Sequence, residues 1–138
     1  MKILEILTSR RKTGNIGEEL AVRHLRKKKY KIIRRNYVGA GAEIDVIAES
    51  KTALAFIEVK ARTVGHENPK EPRPASAVTP EKQRKIISAA KYYLGGHPTG
   101  KRVSLDIIEV YLNEDKSQNR IFHIENAFNI NTAYNRRK

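Results

Sequence analysis

The segment 43–60 alternates between polar and apolar residues, and this pattern predicts two β-strands joined by a tight turn. Successive side chains of a strand point to opposite faces of its sheet. The first strand should therefore divide its side chains into two groups: Glu43, Asp45 and Ile47 on one face, Ile44 and Val46 on the other. One face of the second strand carries four side chains: Leu54, Phe56, Glu58 and Lys60. Both strands of the hairpin thus carry acidic side chains.

The register of this hairpin decides whether the acidic side chains meet. Pairing of Ser50 with Ala53 across a two-residue turn, or a four-residue loop, places Asp45 opposite Glu58, with their Cβ atoms about 5 Å apart. A three-residue loop would instead place the two carboxylates on opposite faces. Carboxylates this close repel each other unless a cation lies between them. An even number of turn residues therefore predicts a divalent metal ion, with Lys60 beside it.

The residues before the hairpin predict a helix and a strand. Asn15 and Glu18 have the spacing of a capping box, so a helix is expected to begin near Asn15 and to end by residues 27–29. Residues 1–13 are interpreted as a flexible or partly helical arm. A strand over 30–37 then leads into the hairpin.

The residues after the hairpin predict a loop, a helix and two strands. Residues 62–78 contain three prolines and few large apolar residues, so they form the clearest loop, either mobile or closing over a substrate. A helix is expected from Thr79 and Pro80 to about Leu94. Two strands and a basic tail follow: 102–112, 120–124 and 129–138.

The order of these elements predicts one α/β domain over residues 14–128. Three consecutive strands followed by a helix that returns to the sheet favour a mixed β-sheet flanked by helices. The core order is written αβββαβ, with the short strand at 120–124 after it. A chain of 138 residues is long enough for one domain with its own core.

Charge and cysteine content narrow the class of partner. The formal net charge of +13 favours a polyanionic partner, with nucleic acid first and an anionic membrane surface second. The chain has no cysteine, which excludes disulfides and thiolate metal sites and fits a reducing cytoplasm. No apolar stretch is long enough to span a membrane. We therefore expect a cytoplasmic protein with no membrane partner.

A dense basic run covers the end of the first helix and the strand after it. A single lysine usually belongs to a solvated surface, but a cluster in a strongly basic chain favours contact with phosphates. We predict that these residues, together with one arginine after the hairpin, bind nucleic acid, DNA first: Arg23, Arg26, Lys27, Lys28, Lys29, Lys31, Arg34, Arg35 and Arg62.

The order of several motifs resembles a known family. Asp45 followed by Glu58, Val59 and Lys60 resembles the PD-(D/E)XK (restriction-endonuclease-like) superfamily. The series GNIGEELAVRHL, IIRRNY, EIDVIA and AFIEVKAR, over about 14–128, resembles the YraN-like family. That family comprises small uncharacterised bacterial proteins predicted to be endonucleases, distantly similar to archaeal Holliday junction resolvases. The resemblance implies a restriction-endonuclease-like core. One departure is Ile44, which stands where the superfamily name implies a proline.

The resemblance implies a magnesium-dependent endonuclease that hydrolyses DNA phosphodiester bonds, with structured or branched DNA as a candidate substrate. Asp45, Glu58 and the backbone carbonyl of Val59 would hold Mg²⁺, for which Mn²⁺ is a substitute. Lys60 would act on the attacking water or on the phosphate. Taken alone, Glu58 and Lys60 fit an ordinary ion pair on an exposed strand, worth under about 1 kcal/mol, better than a catalytic site. Asp45 on the neighbouring strand favours the metal site.

Several further residues have two interpretations. Glu18 matches a first-helix glutamate that joins the metal site in resolvase-like proteins, and it is equally a capping residue. Lys82 resembles an auxiliary basic position, with Gln83 beside it; a solvated lysine is the alternative. Glu43 is expected to be a surface charge rather than an outer ligand, and Asp106 a buried hydrogen-bonding group rather than a ligand. The histidines show no metal-ligand spacing.

Two functional classes remain open from the sequence. The first is the endonuclease, and the second is a non-catalytic nucleic-acid-binding module on a nuclease fold. The basic run fits both classes, because charge alone does not imply catalysis. Resolvase-like proteins pair to cut two strands, so a homodimer is a candidate assembly.

Overall fold

The computed structural model describes residues 3–64, 78–113 and 119–130, and only the backbone over 3–13. The described chain contains two helices and five strands: α1 (Ile3–Lys27), β1 (Lys31–Gly39), β2 (Ala42–Glu49), β3 (Ala53–Val64), α2 (Pro80–Gly96), β4 (Arg102–Asn113) and β5 (Arg120–Phe128). The strands form one sheet in the order β1-β2-β3-β4-β5. Only the β3–β4 pair is parallel. The predicted α/β class with a mixed sheet is confirmed.

The two helices cover opposite faces of this sheet. On the α1 side, Val22 and Leu25 pack with Ile57 of β3 in one buried cluster. On the α2 side, Tyr93 packs with Phe56 in another. Because both faces are covered, β4 is buried over most of its length and β3 over its first half. Neither described helix is long and apolar enough to cross a membrane.

The prediction that α1 begins near Asn15 is wrong, because the helix already begins at Ile3. Residues 3–13 contain no proline and several good helix formers, and Gly14 costs only about 1 kcal/mol relative to alanine. The helix therefore continues through Gly14, and Asn15 is not an N-cap. The predicted end is correct: Lys29 adopts a left-handed φ of 70°, and the Tyr30 amide donates to the Leu25 carbonyl at 3.0 Å.

The β2–β3 hairpin has the even-numbered turn on which the site depends. The Ser50 amide donates to the Ala53 carbonyl at 2.9 Å, and Val46 pairs with Ile57. Continuing this register by one residue places Asp45 opposite Glu58. The predicted register is confirmed.

The predicted division of β2 between two faces is wrong at Ile44. Ile44 joins Ile47 in the cluster on the α2 side, whereas Val46 belongs to the α1 side. The alternation breaks between Ile44 and Val46, where Asn36 of β1 lies across from Asp45 with a left-handed φ of 51°. Strand periodicity assumes extended residues throughout, so it cannot anticipate this switch.

The segments after the hairpin follow the predicted order with shifted ends. Residues 62–64 continue β3 because Val64 still pairs with Asn113 of β4, so they are not part of a loop. The remaining residues of the predicted loop up to 77, and those of the tail from 131, lie outside the described residues. The start of α2 is confirmed, since the Thr79 hydroxyl accepts a hydrogen bond from the Lys82 amide at 3.2 Å.

Candidate active site

Asp45 of β2 and Glu58 of β3 form a pair of adjacent carboxyl groups. Asp45 is half-buried and Glu58 is buried, and the two carboxyl groups are close enough for the charge of Asp45 to act on Glu58. The Val59 amide donates to Asp45 Oδ2 at 2.8 Å. This bond holds the Asp45 carboxylate against the end of the β2–β3 pairing, next to Glu58.

The environment makes this pair hard to ionise fully. Burial, and then the neighbouring Asp45 carboxylate, raise the pKa of Glu58 to about 7. Burial also raises the pKa of Asp45, which the hydrogen bond from Val59 opposes. With a pKa of about 7, Glu58 is therefore still partly protonated near neutral pH. A cation between the two carboxyls would replace that proton.

Two lysines bring positive charge to the same carboxylate. Lys60 Nζ, from β3, and Lys82 Nζ, from the first turn of α2, each lie 3.9 Å from Glu58 Oε1. The Thr79 cap fixes the start of α2 and thus the position of Lys82. Their side chains are 36% and 42% exposed, so the site is open to solvent on the lysine side. The structure thus brings Asp45, Glu58, Lys60 and Lys82 together.

Glu18 of α1 approaches this cluster from the other face of the sheet. Burial, and then the Asp45 carboxylate, raise the pKa of Glu18, whereas Arg35 opposes this effect. Arg35 lies 3.7 Å from Glu18 and donates to Glu19 at 2.7 Å. The capping interpretation of Glu18 is wrong, because α1 begins fifteen residues earlier, at Ile3. Its interpretation as a member of the metal site stays a prediction.

The donor set fits one kind of metal ion. Among the described residues, no group of three or more His, Cys, Asp or Glu side chains is arranged to hold a metal. Mg²⁺, however, is usually bound by one or two carboxylates and keeps several waters. Asp45 and Glu58 match that requirement with hard oxygen ligands. The backbone carbonyl of Val59 stays a predicted third ligand.

Gln83 and Glu43 are not part of the cluster of Asp45, Glu58, Lys60 and Lys82. Gln83 is buried, and its amide nitrogen donates to the Val78 carbonyl at 2.8 Å. This bond ties down the chain just before α2, so Gln83 supports the position of Lys82. Glu43 is exposed, as expected, although its charge also raises the pKa of Asp45.

The predicted nucleic-acid-binding residues lie on the surface at the end of α1, along β1 and on β3. All nine are exposed: Arg23, Arg26, Lys27, Lys28, Lys29, Lys31, Arg34, Arg35 and Arg62. Three of them have partners within the protein. Arg35 pairs with the two glutamates of α1, Arg34 lies over the Tyr37 ring at 5.5 Å, and Lys28 contacts His123.

A buried polar network on β4 and β5 confirms the prediction for Asp106. Asp106 is only 1% exposed and accepts hydrogen bonds from the Asn126 amide at 3.0 Å and from Ser104. His123 Nε2 lies 2.8 Å from its other oxygen, and Lys28 Nζ lies 2.7 Å from His123 Nδ1. Since an ammonium group only donates, His123 carries its proton on Nε2. The sequence signals the buried aspartate but not its histidine partner.

Fold and site together define a small α/β protein with a carboxylate–lysine cluster where the β2–β3 pairing of a mixed sheet ends. The chain belongs to the uncharacterised protein family UPF0102, whose family model matches residues 17–110. This confirms the YraN-like resemblance at the level of the family.

Several UPF0102 proteins are similar over nearly their whole length. One from Desulfosudis oleivorans is 41% identical over 93% of this chain and 98% of its own. One from Caldanaerobacter subterraneus subsp. tengcongensis is 38% identical over 87% of this chain and 97% of its own. One from Geobacter metallireducens is 39% identical over 85% and 92%. Their names state a family and no activity, so function has to be argued from the site.

Proposed function

We propose that this protein is a magnesium-dependent endonuclease-like enzyme that hydrolyses DNA phosphodiester bonds, with structured or branched DNA as the expected substrate. The observation that carries the proposal is the Asp45–Glu58 carboxyl pair with two lysine ammonium groups, each 3.9 Å from Glu58. An acidic pair of this kind beside lysines is what a metal ion and a phosphate require together. It also supports membership of the PD-(D/E)XK superfamily and a distant relation to archaeal Holliday junction resolvases.

Each residue of the cluster has a distinct role in this proposal. Asp45 and Glu58 would hold Mg²⁺, or Mn²⁺ in its place. When bound, the ion supplies Lewis-acid stabilisation of the charge on the phosphate. Lys60 extends from the strand that carries Glu58, so its ammonium group orients the attacking water or contacts the scissile phosphate. Lys82 adds a second positive charge on the α2 side, where it stabilises the same phosphate.

The surface charge supports a nucleic-acid substrate. The formal net charge is +13, and the basic residues of α1 and β1 are exposed. Phosphate contacts of this kind give affinity that falls steeply with salt. If the protein cuts both strands of a duplex, a homodimer would supply the second site, as the resolvase resemblance implies.

The test is a cleavage assay on plasmid, flap and four-way-junction DNA with Mg²⁺ or Mn²⁺. Wild type should cleave at least one substrate, and Asp45→Ala and Lys60→Ala should abolish that cleavage. Lys85→Ala is the matched control, because Lys85 lies on the exposed side of α2 and pairs with Glu81. Metal-dependent cleavage that both site variants retain would contradict the proposal.

A second outcome would favour the non-catalytic binding module. In that case wild type would bind DNA with a steep salt dependence but cleave none of the substrates. Calorimetry would also detect no Mg²⁺ binding that depends on Asp45 and Glu58. These two measurements together separate a binding module from an enzyme with an untested substrate.

A further inference from the structure

In the β1–β2 hairpin, the alternation of side chains between the two faces of the sheet is interrupted in both strands at the same level. On β1, Arg35 reaches the glutamates of α1, whereas Tyr37 packs in the cluster on the α2 side. On β2, Val46 belongs to the α1 side and Ile44 to the α2 side. Residues two apart in a regular strand share a face, so the periodicity of each strand breaks at this level. The register of β1 has a separate irregularity between Ile32 and Arg34.

Asn36 accounts for this break. Its φ of 51° lies in the left-handed region, which few residues other than glycine adopt and in which asparagine is several-fold enriched. Arg35 pairs with Val46 and Tyr37 pairs with Ile44, whereas Asn36 and Asp45 between them do not pair. A left-handed residue turns the chain that follows it, which carries the end of the hairpin towards α2.

The same break sets the direction of the Asp45 side chain. Pairing of β2 with β3 stops at Val46 and Ile57. Beyond that point the Val59 amide donates to Asp45 Oδ2 at 2.8 Å. The Asp45 side chain thus accepts the hydrogen bond that a backbone carbonyl of β2 would accept in a regular antiparallel pair. The carboxylate that is bound this way is the one beside Glu58.

We infer that Asn36 is a positioning residue whose left-handed backbone places the Asp45 carboxylate against Val59 and Glu58. Its consequence for metal binding rests on the proposed function, but the placement itself does not. Asn36 is exposed and lies on the neighbouring strand, so it acts through Asp45.

The test compares Asn36→Val, Asn36→Ala and Asn36→Gly with wild type. Glycine adopts the left-handed region freely, alanine resists it and a β-branched valine resists it most. Asn126→Val is the matched control, because Asn126 is also exposed with a φ of 50° but lies in β5, on the opposite edge of the sheet. Two readouts are measured: the chemical shift and hydrogen exchange of the Val59 amide by NMR, and the affinity for Mn²⁺ by calorimetry.

We expect Asn36→Val to shift the Val59 amide resonance towards its position in Asp45→Ala and to speed its exchange. Mn²⁺ affinity should fall about tenfold or more. Asn36→Gly should match wild type in both readouts, and Asn126→Val should match it even if its stability falls. Asn36→Ala should show the same changes as valine to a smaller extent, and it decides the test if the valine variant does not fold.

Failure of the positioning role of Asn36 and failure of the proposed metal site would give different results. An unchanged Val59 amide in Asn36→Val and Asn36→Ala would overturn the positioning role, whatever the metal affinity. Wild type that binds no Mn²⁺ would overturn the metal site of the proposed function, while the Val59 readout would still decide the role of Asn36.

Discussion

Gly17 of α1 lies so close to Ala61 of β3 that a Cβ atom added to Gly17 would overlap with the Cβ of Ala61. This contact lets the helix approach the sheet at the residue just before Glu18. Glu18 thereby comes within electrostatic reach of Asp45. The packing of one glycine thus connects α1 to the candidate site.

Gly17→Ala should destabilise the protein by about 1–3 kcal/mol, because the added methyl group forces the helix away from β3. Gly14→Ala is the matched control: it lies in the same helix, but an added Cβ there would meet nothing within 4 Å. That substitution should stabilise by up to about 1 kcal/mol through helix propensity. Urea denaturation of both variants measures the difference, and equal effects would contradict the close packing.

Stability should depend on pH through Glu58. Its pKa is raised from 4.5 to about 7, first by burial and then by Asp45, so the folded protein binds this proton more tightly than the unfolded chain does. The stabilisation is therefore fully present below about pH 4.5 and is lost as the pH rises through about 7. Glu58→Gln removes the titration.

The free energy of unfolding of wild type minus that of Glu58→Gln should fall by a few kcal/mol between about pH 5 and 8. Denaturation at several pH values measures this difference, in which titration of other groups cancels. Added Mg²⁺ should reduce the loss at high pH in wild type alone, because the ion stabilises the ionised carboxyl pair. A difference that stays constant with pH would show that Glu58 titrates normally.

Lys82→Gln should lower kcat/KM for cleavage by about ten- to a hundredfold, because Lys82 places a positive charge 3.9 Å from Glu58 Oε1. Lys85→Gln, one turn further along α2, should leave cleavage nearly unchanged because Lys85 pairs with Glu81. Both substitutions remove one positive charge from the same helix, so the comparison isolates the position of the lysine. Equal losses in the two variants would indicate a general effect of charge on DNA binding.

Asp106→Ala should destabilise the protein by about 3–5 kcal/mol, because it leaves buried hydrogen-bond donors without an acceptor. Ser104 and His123 lose their acceptor, and the Asn126 backbone amide keeps only its 3.2 Å hydrogen bond to the Ser104 hydroxyl. Chemical denaturation measures the loss, and faster hydrogen exchange at the Asn126 amide would locate it in β5. Glu125→Gln, a substitution of an exposed residue in β5, should cost much less stability. Near wild-type stability of Asp106→Ala would contradict a structural network.

Lys27 and Arg35 should contribute differently to DNA binding. Lys27 is exposed, so Lys27→Gln should reduce the slope of log affinity against log salt by about 1. Arg35 pairs with Glu18 and Glu19, so Arg35→Gln should reduce the slope by less. Fluorescence anisotropy with one duplex at several salt concentrations measures both slopes. A larger change for Arg35 would indicate that it leaves the glutamates when DNA binds.

Features that depend on neighbouring residues were predictable from the sequence. Thr79 and Pro80 start α2 because capping needs only a side-chain oxygen within one turn of free amides. The alternation along β3 predicts which of its side chains face each helix, because both of its neighbours hold it extended. The pairing of Asp45 with Glu58 needed one further fact, an even turn, which the hairpin provides.

Features that depend on distant contacts were not predictable. The start of α1 at Ile3 was missed because a cap-like pair at Asn15 and Glu18 looks the same inside a helix as at its end. The partner of Asp106 is seventeen residues away, on the neighbouring strand β5. No local pattern specifies such a pairing.

The amino-acid order alone determines the carboxylates, the lysines and the strands that carry them, because these follow from residue type and a period of two. Long-range packing decides how they meet. Asn36 turns the hairpin at Asp45, Gly17 admits α1 beside Ala61, and the start of α2 brings Lys82 to Glu58. The physical reason is that a local period describes one strand at a time, whereas the site is assembled from two helices and three strands packed together.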